Sequence, residues 1–173
     1  MLYNNLIIRE LSPKDIDLVL QLQEEIFYSL ENHDILRRNT KEMFELCLQE
    51  PNWTIGAFPF EAPKRLVGIA ILFDPGESEE NIANHLIHCK AKKSVNAKLF
   101  MIHNDFKGKG FQRMALGLIK DRAAIWGYDV ICTTVSPLNE YSKRNFISSG
   151  YKYDHTEIKY GGLVREVYYL KIK

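Results

Sequence analysis

The residues whose types and spacing could do chemistry lie in one stretch, Ala97 to Ala115, which reads AKLFMIHNDFKGKGFQRMA. An apolar, β-prone run, Ala97–Ile102, leads into a turn carrying Gly108 and Gly110. A helix follows with almost no slack, because Phe111, Met114, Ala115, Leu118, Ile119, Arg122, Ala123 and Trp126 keep a 3.6-residue period. The first amides of a helix have no intrahelical partner and the helix dipole is positive there, so an anion is stabilised at that end. Glycines at 108 and 110 let the backbone approach a bulky phosphate, and Lys107, Lys109 and Arg113 add positive charge around the same point. The turn is not a Walker loop, since G-x-x-x-x-G-K-[S/T] is absent. Nor is it a dinucleotide fingerprint: the third glycine is missing, and Asp129, about 20 residues on, does not close a second strand of that type.

The elements around this turn alternate in type. Leu6–Arg9 reads as a strand. Ser12 before Pro13 suits a helix N-cap, and Ile16, Val19, Leu20, Leu22, Ile26 and Phe27 form the apolar face of the helix that follows. Thr40–Leu48 reads as a second helix. Trp53–Phe58 and Leu66–Phe73 read as an antiparallel hairpin. DPGESEE (74–80) is loop-like, and NIANHLIHCK (81–90) reads as an amphipathic helix with Ile82, Leu86 and Cys89 aligned. Val130–Val135 is a buried-type strand, Tyr141–Ser148 a short helix, and Tyr151–Ile158 and Val164–Ile172 two closing strands. That order implies a mixed sheet with helices on its faces, built as one domain over residues 1–173.

Composition narrows the classes. No apolar run approaches the roughly 20 residues of a membrane helix, so no membrane partner is expected. MLYNNLIIRELSPKD lacks the basic flank and cleavage site of a secretory signal. Three cysteines, Cys47, Cys89 and Cys132, form no C-x-x-C pair, which points to reduced thiols and a cytoplasmic setting rather than a disulfide or zinc framework. His85 and His88 share a helical spacing, but the sequence places no carboxylate partner with them, so no metal is expected. The net charge of +1 conceals an asymmetry: residues 10–50 carry ten acidic against four basic side chains, and residues 81–173 sixteen basic against seven acidic. The basic residues are dispersed and follow no nucleic-acid-binding motif, so no nucleic-acid partner is expected.

Asn104-Asp105-Phe106-Lys107-Gly108-Lys109-Gly110-Phe111 resembles the signature of the GNAT (GCN5-related N-acetyltransferase) superfamily: a strand ending in an acidic-aromatic step, then a G-x-G turn, then a helix. A second motif of that family is matched after the next strand, where Asn139, Ser142, Phe146, Gly150 and Tyr151 fall at its spacings. The resemblance covers residues 6–172 in element order and 97–151 in residue detail. It implies the GNAT fold, a central, mixed, mostly antiparallel sheet of six to seven strands with a splayed strand pair and about four helices.

The resemblance also implies a ligand, acetyl-CoA, as acyl donor to an amine acceptor. The strand Phe100–Ile102 would splay from Val130–Val135, and the pantetheine arm would use backbone groups of Phe100, Met101 and Ile102. Amides of the turn Lys107, Gly108, Lys109, Gly110, Phe111, Gln112 and Arg113 would hold the pyrophosphate, with Asn139, Ser142 and Phe146 toward the distal part of the cofactor. The amide near Ile102 would stabilise the tetrahedral intermediate, His103 at the strand's end is a candidate base, and Tyr141 a candidate acid. The acidic residues 10–50 would line the acceptor side and favour a cationic amine. Three residues depart from the family pattern: Lys107 for arginine, Gln112 for a small residue, and Phe146 where many members carry a tyrosine acting as general acid. The last leaves a second reading, a non-catalytic acyl-CoA-binding sensor or scaffold. Dimers are common in the family, and the edge of the apolar strand VYYLKI is a candidate pairing surface.

Overall fold

A computed structural model describes residues 1–172. Eight strands and four helices follow in order: β1 (Leu2–Tyr3), β2 (Leu6–Glu10), α1 (Ile16–Ser29), α2 (Lys41–Cys47), β3 (Trp53–Pro59), β4 (Gly68–Phe73), β5 (Ser94–Ile102), α3 (Phe111–Ile125), β6 (Val130–Val135), α4 (Glu140–Ser148), β7 (Lys152–Lys159) and β8 (Leu163–Lys171). The strand order is β1-β2-β3-β4-β5-β6-β8-β7. Short 3-10 turns at Pro13–Asp15, His33–Ile35, Ile82–His85 and Asn104–Phe106 complete the regular elements. The expected mixed, mostly antiparallel sheet is present, with the two-residue β1 as an eighth strand that hydrophobic periodicity is too short to reveal.

The chain forms two compact units, Met1–Leu72 with Leu99–Phe111, and Phe73–Lys98 with the chain from Gln112 onward. In the first, β2, β3 and β4 pair antiparallel, with Ile8 opposite Ala57 and Ile55 opposite Ala70. α1 buries Val19, Leu22, Gln23 and Ile26. Gln23 is a polar exception to that apolar stripe. Its amide nitrogen donates to the Asn39 carbonyl at 3.0 Å and its oxygen accepts from the Asn39 amide at 2.8 Å, which fixes the connection into α2. Thr40 caps α2 by accepting from the Met43 amide at 3.2 Å. Some of the acidic residues of 10–50 have local partners. Asp15 takes both guanidinium nitrogens of Arg9, Glu24 pairs with Arg38, Glu45 lies 3.8 Å from Lys41, and Glu25 accepts from Gln21 at 2.8 Å.

In the second unit, β5 and β6 form a parallel pair over three positions only, Ser94↔Val130, Val95↔Ile131 and Asn96↔Cys132. One residue later the contact is no longer a backbone pair: the Thr133 hydroxyl donates to the Ala97 carbonyl at 2.9 Å. β8 pairs antiparallel with β6 along its length and with β7 on its other side. The edge of VYYLKI is therefore used inside the sheet, and β7 is the terminal strand. α3 buries Ala115, Leu116, Ile119 and Ala123, and Tyr128 donates to the Asp74 carboxylate.

The expected helix over 81–90 does not form. Only Ile82–His85 makes a single 3-10 turn, opened by Asn81, whose side chain accepts from the Ala83 amide at 3.0 Å. The physical reason lies 67 residues further on. The buried Asp154 carboxylate accepts from the amides of Ile87 at 2.8 Å and His88 at 2.9 Å, so those donors go to a carboxylate instead of to helical carbonyls. Ile82 and Cys89 still reach the core, packed with Val130, Cys132, Val167 and Tyr169. Burial there pushes the Cys132 thiol up to about 12. Burial also raises the pKa of Asp154, but the two amides and the His155 ring, whose Nδ1 lies 2.6 Å from Oδ2, outweigh it and hold the carboxyl below its ordinary value.

A carboxyl with a lowered folded-state pKa adds stability that is complete above its unfolded value, about 4, and is lost as pH falls through its folded value. Asp154→Ala is accordingly expected to cost about 1–3 kcal/mol in urea unfolding at pH 7, since two amides lose a charged acceptor. The gap between the variant and the parent should narrow as pH is lowered below about 4. A gap that stays constant down to strongly acidic pH would mean that the carboxylate charge plays no part.

Candidate functional site

In the first unit β5 ends at Ile102 and a 3-10 turn, Asn104–Phe106, carries the chain into the glycine turn. Lys107 is extended, while Gly108 and Gly110 take φ of +76° and +79°, a region that side chains with a Cβ rarely enter. At Gly110 there is a second constraint, because a Cβ built there would lie 2.7 Å from the Tyr3 hydroxyl. The neighbouring Asn4 side chain donates to the Lys109 carbonyl at 2.9 Å. Asn4 and Asn5 both have positive φ, as a tight β1–β2 hairpin requires. The N-terminal hairpin thus braces the turn from outside, a contact between positions more than 100 residues apart that no local pattern announces. Lys107 and Lys109 are exposed, and the Lys109 ammonium stands 4.7 Å from the centre of the Phe106 ring.

His103 closes β5. Its amide donates to the Val67 carbonyl at 2.7 Å. Its Nδ1 lies 3.3 Å from the Asp105 amide and 3.5 Å from the Asp105 carboxylate, and its Nε2 lies 3.3 Å from an Arg65 guanidinium nitrogen. A neutral imidazole has one acceptor nitrogen, and arginine only donates. Both ring nitrogens therefore face donors, the Asp105 amide at Nδ1 and the Arg65 guanidinium at Nε2, and a neutral imidazole accepts from only one of them. Arg65 was not among the residues expected at the site. The charge-assisted partner of a strand-terminal histidine is visible only once the β3–β4 turn is placed beside the end of β5.

In the second unit the start of α3 is tied to α4 through Gln112, which is 7% exposed. The Gln112 amide nitrogen donates to the Ser142 hydroxyl at 2.9 Å, and its oxygen accepts from the Asn145 side chain at 3.0 Å. Asn139 caps α4 by accepting from the Ser142 amide at 3.1 Å. Asn139, Ser142 and Gln112, expected along one cofactor, thus belong to one network, with Asn145 an addition. The Gln112 carboxamide joins the start of α3 to Ser142 and Asn145 of α4, a reach that a small side chain does not have. Arg113 is exposed.

Phe146 is 2% exposed and packs edge-on against Tyr151, ring centres 5.0 Å apart at 75°. The Tyr151 hydroxyl is buried without a hydrogen-bond partner, and burial raises its pKa strongly. Position 146 therefore serves packing and offers no proton. Tyr141 is 49% exposed on the first turn of α4. His85 does not share a site with His88: its Nδ1 lies 3.4 Å from Glu157, while His88 is held through its backbone. Among the described residues no three His, Cys, Asp or Glu side chains are grouped to hold a metal ion, and no helix is long and apolar enough to cross a membrane.

With two left-handed glycines between β5 and α3, a parallel pair that ends after three positions, and the β-α order around them, the chain has the GNAT fold. No family model matches it, and no curated protein does. Solved structures do. A GCN5-related N-acetyltransferase from Kribbella flavida is 16% identical, with a TM-score of 0.68 over 96% of this chain and 98% of that one. Similar too is yncA from Salmonella typhimurium, a proposed acetyltransferase solved with its cofactor acetyl-CoA, at 16% identity and a TM-score of 0.69 over 98% and 95% of the two chains. The ribosomal-protein-S18-alanine N-acetyltransferase of Escherichia coli is 13% identical, with a TM-score of 0.69 over 97% and 94%.

The Gln112 network makes a direct prediction. Gln112→Ala should cost about 1–3 kcal/mol in denaturant unfolding, because it strands the buried Asn145 amide. In a double-mutant cycle with Asn145→Ala the coupling should be about 0.5–3 kcal/mol. Strict additivity of the two substitutions would show that the carboxamides do not meet.

Proposed function

We propose that this chain is a GNAT-superfamily N-acetyltransferase that transfers an acetyl group from acetyl-CoA to a primary amine within a ternary complex, the whole chain acting as one domain. The observation that carries the reading is the pair of left-handed glycines, Gly108 and Gly110, set immediately before α3 among Lys107, Lys109 and Arg113. Helix amides and lysines together suit a pyrophosphate. In this reading the amides from Gly108 to Arg113 hold that group, and backbone groups of Phe100, Met101 and Ile102 hold the pantetheine arm. The early end of the β5–β6 ladder, at Asn96↔Cys132, supports it, because the two parallel strands are not paired beyond that point.

The reaction asks little more of the protein. Holding thioester and amine together supplies much of the rate, the amide near Ile102 can donate to the oxyanion, and a base must take a proton from the amine. His103 is the candidate base. No proton donor stands at position 146, so the leaving thiolate takes its proton from Tyr141, from the newly acylated nitrogen, or from water. The same observation favours one competing reading, a non-catalytic module that binds acyl-CoA and does not turn it over.

Calorimetry with acetyl-CoA and thiol-release assays with a panel of amines separate these readings. Binding with turnover on at least one amine is expected; binding without turnover on any amine would assign the module, and absence of binding would remove both. Lys107→Glu with Lys109→Glu, at two exposed positions, should weaken acetyl-CoA at least tenfold while circular dichroism is unchanged. Gly110→Trp should abolish binding. Unaltered affinity in both variants would place the pyrophosphate elsewhere.

A further inference from the structure

Beside the end of β5, entirely within the first unit, lies a cavity of about 520 Å³, a size suited to a small organic ligand. Leu18 and Leu22 of α1 form one wall, and Pro63 and Leu66 of the β3–β4 turn the other. Its rim carries Lys64, Arg65 and Glu25. Neither cation meets a carboxylate: Arg65 donates to the His103 ring, and Lys64 has no ion pair among the described residues. Two cations and one carboxylate around an apolar pocket are the complement of a zwitterion with an apolar tail. The pocket is joined to the end of β5 twice, through the Arg65–His103 contact and through the His103 amide on the Val67 carbonyl, one residue from Leu66.

We infer that this cavity is the acceptor pocket and that the acceptor is an α-amino acid with an apolar side chain, an inference that rests on the acetyltransferase reading above. The side chain occupies the Leu18–Leu66 pocket, and the carboxylate pairs with Arg65, a bidentate match for a guanidinium. That pairing draws Arg65 away from His103, and in the tautomer with its proton on Nδ1 the Nε2 lone pair then stands open to the amino group. The ammonium then gives one proton to Nε2. Its nitrogen attacks the thioester carbonyl, the C–N bond forms and the C–S bond breaks. The second proton lost by that nitrogen ends on the thiolate sulfur, and the proton on Nε2 leaves to solvent. Arg65 is on this account a positioning residue that masks the base until the right substrate arrives. The acceptor it selects is zwitterionic, where the acidic composition of residues 10–50 had pointed to a simple cation.

The test uses L-leucine, L-leucinamide, which lacks the carboxylate, and 4-methylpentanoate, which lacks the amine. Calorimetry without acetyl-CoA reads the pocket independently of any transfer. Leucine should bind, and both leucinamide and the Arg65→Met variant should show at least a tenfold loss; Arg65 is exposed, so the variant should fold. In nitrogen-15 spectra, leucine should shift the His103 Nε2 resonance of the parent protein and leave Arg65→Met unchanged, a signature that a purely structural arginine would not produce. Equal binding of leucine and leucinamide, undiminished leucine binding by Arg65→Met, or no binding of leucine, isoleucine, valine or phenylalanine would each overturn the inference. Loss of acetyl-CoA binding with leucine binding intact would instead strike the acetyltransferase reading alone.

Discussion

The candidate site depends on how few backbone pairs join β5 to β6. A parallel ladder of three positions is enough to fix the start of β5, and from Ala97 onward the strand is no longer bound to follow its neighbour. The side-chain hydroxyl of Thr133 takes over where an amide would otherwise continue the ladder. The price of the arrangement is a strand that needs other support at its far end. That support comes from the Val67 carbonyl on the His103 amide and from the N-terminal hairpin against the glycine turn.

Each unit then solves a local problem around its own part of the turn. In the first, a backbone in the left-handed region at two glycines is held by Tyr3 and Asn4, so the turn is shaped before any ligand arrives. In the second, the carboxamide of Gln112 locks the start of α3 to α4 through Ser142 and Asn145. Under the proposed function both devices are preorganisation: they place backbone donors in advance, so that an anion would not have to order them. Phe146 belongs to a different economy. Its ring fills space against Tyr151, and the reaction proposed for this site must manage its proton without it.

Much of this was legible in the sequence because it was local and periodic. The glycine turn and the helix from Phe111 rest on neighbours within a few residues, and so does most of the order of elements along the chain. What the sequence hid depended on distant partners. The stretch 81–90 has a helical apolar period, yet a carboxylate at position 154 captures two of its amides, and nothing within the stretch reveals that competitor. β1 is two residues long and carries no period. Gln112 looked like an oddity of the turn until Asn145 stood beside it. Within the acidic residues 10–50, Asp15, Glu24 and Glu45 are paired at close range with Arg9, Arg38 and Lys41. Composition counts charges without saying which have already found partners.

The phenol of Tyr3 gives the glycine turn a resident reporter. Its hydroxyl lies 2.7 Å from where a methyl group on Gly110 would be, and residues 2–3 belong to a two-residue strand paired at Leu2↔Ile7 and Tyr3↔Leu6. A short strand of this kind yields easily, so any occupant that shifts the turn by a fraction of an ångström will be felt by an aromatic ring that can be isotopically labelled or fluorinated. The chain's own second and third residues thereby connect occupancy of the turn to local order at the sheet's margin, and a spectroscopist could follow the ligand without ever modifying the site.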